Sequence, residues 1–149
     1  MKPTNLSSLL KQLIIISWLF GVLFYVLREQ FQYFIQVPLN LPIAILSLVV
    51  AIGSWTLLAR NRISGPTKTF TPIQSARTAA LALAGSHTGI LLAGGSIGIA
   101  VSYLLAPPTA ANTDRIQVLS GTAVSALLLV LVSIWLERIC LVPDKKDDN

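Results

Sequence analysis

A chain of 149 residues has room for one domain, and 54% of this one is hydrophobic while only 11% is charged. With a mean hydropathy of +0.73, too few charges remain to coat a water-soluble globule, so the composition points to a surface covered by lipid. The single cysteine, Cys140, has no intrachain disulfide partner and says nothing about redox compartment.

The first apolar run, LIIISWLFGVLFYVL from Leu13 to Leu27, follows Lys2 and Lys11 as the core of a signal peptide does. It continues into the bulky, polar REQFQYF instead of a small-residue cleavage site, and so reads as an uncleaved span over about residues 9–27. Lys11 is close enough to the helix end to snorkel to the headgroups. Residues 28–38 either prolong this helix or lie along the membrane surface. A second span covers about 41–59, with Asn40 as N-cap and Pro42 in the first turn, where no helical hydrogen bond is lost. A third follows Thr71-Pro72 and runs from 72 to 105, where Pro107-Pro108 stops it. The fourth covers about 116–136, with Asp114 as a candidate cap, and residues 137–149 form a short charged tail. The expected fold is all-α: a single polytopic membrane domain over 1–149, built as a four-transmembrane-helix bundle.

The net charge of +5 invites a nucleic-acid partner, but the placement of the eleven basic residues explains it without one. Nine of them lie at the two termini or around the second loop, where Arg60, Arg62, Lys68 and Arg77 cluster; only Arg28 and Arg115 remain for the other two loops. That asymmetry predicts both termini and the middle loop on the cytoplasmic side of the cell membrane. The aromatics agree, with Trp55 and Trp135 near the inner ends of their helices and Tyr25, Tyr33, Phe34 and Tyr103 near the outer ones.

The third span is rich in small residues. At about 100° per residue they form two stripes, Thr78, Ala82, Gly85, Gly89, Ala93 and Ser96 on one side, and Ala76, Ala80, Ala84, Gly94, Gly98 and Ser102 on the other. Gly85 to Gly89 and Gly94 to Gly98 have the GxxxG spacing that lets helix backbones approach, and Gly121 and Ser125 repeat it in the fourth span. Two stripes predict a central helix with a neighbour on each side. At ~1.5 Å per residue this helix reaches ~50 Å, longer than a ~30 Å hydrocarbon core, so it must tilt or protrude.

His87 lies in line with the second stripe. An ionisable group at membrane depth is a functional hypothesis by default, as proton relay or metal ligand. No second histidine and no carboxylate stands within a span to help it. The expectation is a polar core residue, a neutral imidazole hydrogen-bonded to a hydroxyl or carbonyl on another helix. Ser86 and Thr88 project about 100° to either side of it, so no local Ser-His pair forms. At the cytoplasmic face, Arg60, Arg62, Arg77, Glu137 and Arg138 are candidates for headgroup or partner contacts. The glycines of GGSIG lack the strand-turn-helix setting and the lysine of a phosphate loop. No catalytic, cofactor-binding or metal-binding residue is assigned.

From Ala76-Arg77 onward the chain resembles a small actinobacterial membrane-protein family of unknown function, domain of unknown function 3180. The resemblance rests on Gly89 with Leu91-Leu92-Ala93-Gly94, on Gly98, and on Trp135-Leu136-Glu137-Arg138 followed by Cys140 and Pro143. It implies four spans with a basic middle loop. Since the family has no established activity, substrate or cofactor, no catalytic residue carries over. The expected role is a non-enzymatic accessory or assembly partner, contacting the lipid bilayer and another membrane protein or a second copy of itself. The alternatives are a transporter or channel subunit using His87 and the glycine-rich helix, or a subunit of a membrane enzyme acting on lipid-linked substrates.

Overall fold

The computed structural model describes residues 6–31, 38–64, 72–106 and 109–140, with side chains for all of these except 6, 31, 59–64, 72–76 and 140. Four α-helices follow one another: α1 (Leu6–Phe31), α2 (Asn40–Ser64), α3 (Pro72–Leu104) and α4 (Ala110–Cys140). Each is long and apolar enough to cross a membrane.

The helix ends differ from the sequence expectation for identifiable reasons. α1 continues to Phe31 because Arg28, Glu29 and Gln30 are good helix formers, which resolves the start of the 28–38 segment in favour of a longer helix; residues 32–37 lie outside the described residues. The expectation that Asp114 caps the fourth helix is corrected. Thr109 does so: its carbonyl accepts from the amides of Asn112 at 3.0 Å and Thr113 at 3.1 Å, and its Oγ1 lies 3.3 Å from the Asn112 amide. A hydroxyl in the residue directly after Pro107-Pro108 accepts from one free amide, that of Asn112, so the helix begins there and Asp114 sits inside it, exposed.

The helices pack in the order α1–α3–α4–α2, and among the described residues the backbones of α1 and α2 do not approach each other. α1 runs parallel to α3, with Leu13 and Ile16 beside Gly94 and with Ser17 and Gly21 beside Gly98. α3 and α4 are antiparallel, Gly85 facing Ser133 and Gly89 facing Val130. α2 is parallel to α4, Pro42 beside Gly121 and Gly53 beside Val132. The outer helices also reach past their nearest neighbour, since Ile52 of α2 shares a buried cluster with Ala82, Leu129 and Leu136, while Leu9 of α1 shares another with Ile90 and Val130.

In the most apolar window of α1 only 6% of residues are buried, against 44% in those of α3 and α4, so the inner pair forms the centre and the outer two flank it. Exposed Ile14, Ile15, Trp18 and Leu19 on α1, with Ile43, Val50 and Leu58 on α2, form the apolar skin that a bilayer would cover.

Candidate functional site

The distinctive residues of this chain meet at α3, whose two small-residue stripes contact different neighbours. The first faces α4. A methyl group built on Gly89 would lie 2.7 Å from Val130 Cγ2 and 3.0 Å from the Ala126 carbonyl oxygen, and one on Gly85 would collide with the Ser133 hydroxyl. The second stripe faces α1: at Gly94 such a methyl would come within 3.0 Å of Ile16 Cγ2 and 3.1 Å of the Leu13 carbonyl. Gly98 is tighter still, against the Ser17 carbonyl and 2.8 Å from the Gly21 amide nitrogen. Both flanks of α3 are thus closed by backbone-level contact, the geometry in which dispersion replaces the hydrophobic effect as the force between helices in lipid.

Gly121 is looser, since a methyl there would meet Pro42 Cβ at 3.8 Å, an ordinary contact. Ser125 is buried and donates to the Gly121 carbonyl at 2.8 Å. Sequence reasoning missed Gly21 and Ser17, the α1 half of the tightest crossing. Their i, i+4 spacing was the available signal.

Most intrahelical hydroxyls are satisfied within their own helix. Thr56 donates to Ile52, Ser86 to Leu83, Ser102 to Ile99 and Thr122 to Val118, all at 2.7–2.9 Å. This back-bonding lets hydroxyls sit in an apolar layer without an interhelical partner. Ser133 differs, being fully buried with a hydroxyl oxygen that makes no hydrogen bond among the described residues.

His87 is not a polar core residue. Its side chain is exposed, no hydrogen bond reaches it among the described residues, and it lines a cleft of about 250 Å³ with Gln12, Ile15, Ile16, Ile90 and Leu91. The cleft opens on the flank of the α1–α3 seam, beside the turn of α1 in which Leu9 packs with Ile90. Ala80 and Ala84, earlier in the second stripe, are exposed as well. His87 lies within the apolar span Arg77–Leu104, roughly 25 Å along the helix from Leu104 at ~1.5 Å per residue.

Two cations fasten the opposite end. Arg28 is half-buried and donates from Nη1 to the Ser102 carbonyl at 2.9 Å, one of the last carbonyls of α3. The Ala106 amide, which would serve that carbonyl in a continuing helix, bonds to Tyr103 instead. The Arg115 guanidinium lies 5.6 Å from the centre of the Tyr103 ring. Tyr103 is accordingly only 4% exposed, whereas the side chains of Trp18, Trp55 and Tyr25 are exposed; Tyr33 and Phe34 lie outside the described residues.

Of the cytoplasmic candidates, Arg77 and Arg138 are exposed and Glu137 is half-buried. Arg60 and Arg62 fall in the last turns of α2 with side chains outside those described, and Lys68 lies outside the described residues. Among the described residues no group of three or more metal-ligating side chains converges.

Fold and site together define an all-helical protein whose four helices are each able to span a membrane, joined by small-residue contacts around α3. The chain belongs to the family described as protein of unknown function (DUF3180), whose model matches residues 13–144. No curated protein and no solved structure matches it.

Proposed function

We propose that this is a non-enzymatic, multi-pass protein of the cytoplasmic membrane that serves as an accessory or assembly partner for another membrane protein, with both termini on the cytoplasmic side. The observation that carries this reading is the cleft holding His87 and Gln12, two hydrogen-bonding side chains on the outer flank of a closely packed helix layer. A polar side chain facing lipid gains from a partner helix that offers it a hydrogen bond, on average about 0.6 kcal/mol and at most about 2. The nine-to-two distribution of basic residues supports the orientation.

A transport path lined by the glycine stripes is disfavoured by the packing itself, since Gly85, Gly89, Gly94 and Gly98 are all filled by side chains or backbone of α1 and α4. Crosslinking in native membranes followed by mass spectrometry tests the assembly role. The expected result is one stoichiometric partner, lost in His87→Leu while that variant keeps its own melting temperature. Recovery of the wild-type chain alone, or flux through proteoliposomes containing only this protein, overturns it.

A further inference from the structure

A groove of about 570 Å³ follows the seam between α1 and α3. Leu13, Trp18, Val22 and Tyr25 of α1, Val101 of α3 and Leu105 just after it form its walls, and the Gly21–Gly98 crossing forms its floor. Three hydroxyl side chains, Ser17, Tyr25 and Ser102, line it, and that of Ser102 already donates to the Ile99 carbonyl at 2.7 Å; the remaining lining is almost entirely apolar, so the trough suits an apolar occupant. Its length from Leu13 to Tyr25 is ~18 Å at ~1.5 Å per residue, close to half of a ~30 Å hydrocarbon core, which is the depth of one leaflet.

The end of this trough is charged. Arg28 is bonded through Nη1 to the carbonyl of Ser102, a residue of the groove wall, and no carboxylate pairs with it among the described residues. A guanidinium carries five N–H donors in a fork suited to phosphate oxygens, and the single hydrogen bond to Ser102 leaves others for a ligand. Apolar trough and cation thus form one amphipathic surface, with the cation near the end of the apolar span Ser7–Gln30, where headgroups lie.

We propose that this groove is a binding site for an anionic phospholipid, one acyl chain lying along α1–α3 and the headgroup phosphate held by Arg28. Charge complementarity selects this occupant over a second transmembrane helix, which would have to bring a negative charge to the same depth.

The test is native mass spectrometry of the full chain purified in detergent and equilibrated with mixed micelles of phosphatidylglycerol and phosphatidylcholine of identical acyl chains. One lipid per chain is expected, with about a fivefold preference for phosphatidylglycerol, the size of a single interfacial arginine's contribution. Arg28→Gln is expected to bring the two lipids to parity, Val101→Phe to lower the bound amount of both, and Lys11→Gln, remote from the Arg28 end, to change neither. Should Arg28→Gln fail to fold, Val101→Phe still decides, since it leaves the cation in place and fills only the trough. Equal retention of the two lipids by the wild type, a preference that survives Arg28→Gln, an undiminished lipid count in Val101→Phe, or a dimer that retains no lipid each overturns the proposal.

Discussion

Gly98→Ala concentrates the packing argument in one methyl group. The new Cβ would point at the backbone of α1, against the Ser17 carbonyl and 2.8 Å from the Gly21 nitrogen, where ordinary contact begins near 3.4 Å. Neither atom belongs to a side chain that can turn away, so α1 has to retreat by at least about 0.6 Å along the seam. A gap of that order forfeits about a quarter or more of each displaced dispersion contact, and overpacking costs typically 1–3 kcal/mol. Alanine's better helix propensity returns up to ~1 kcal/mol, leaving a net loss of about 1–2 kcal/mol. Gly53→Ala is the matched control, since its methyl would find only Val132 Cγ1 at 3.9 Å. Unfolding titrations in mixed micelles, followed by tryptophan fluorescence and by circular dichroism, measure both variants. Roughly a tenfold shift in the unfolding equilibrium is expected for Gly98→Ala and a neutral or stabilising effect for Gly53→Ala. Equal stability of the two would show that the α1–α3 approach is not what holds α1 in place.

Further consequences can be checked with the same assay. Gly85→Ala is expected to destabilise through its collision with the Ser133 hydroxyl, and Ser133→Ala to restore most of the loss, a coupling absent if the two helices do not meet there. Ser133→Ala alone should be neutral or stabilising by up to about 1 kcal/mol, because it removes a buried hydroxyl that makes no hydrogen bond; a clear loss would mean that the oxygen has a partner. Arg28→Ala should cost about 1 kcal/mol through the uncapped Ser102 carbonyl, with Arg28→Lys intermediate. His87→Leu should leave the unfolding curve of the purified protein unchanged, as expected of an exposed side chain; a loss above about 1 kcal/mol would place the imidazole in the interior after all.

Apolar run length made the four helices legible, and residue volume made the stripes of α3 legible. Which neighbour takes which stripe was not, because periodicity fixes the angle between Gly85 and Gly94 but not what stands opposite them. His87 shows the limit most clearly. It shares a helical face with Gly94 and Gly98, yet those glycines are buried against the α1 backbone and it is exposed in a cleft at the flank of the same seam. The cap of α4 was misplaced by favouring a carboxylate at Asp114 over the hydroxyl that directly follows the proline pair. Arg28 could be assigned to a loop by charge, but its bond to a carbonyl 74 residues away is a tertiary event that no local pattern encodes.

The order of helices in space has a bearing on how the protein is made. In the multi-pass topology proposed above, α1 and α2 would be the first two spans made, and among the described residues they bring no backbone close to each other. The close neighbour of α1 is α3 and that of α2 is α4, so the first two helices would depend on lipid, or on the insertion machinery, for company until the α3–α4 hairpin closes.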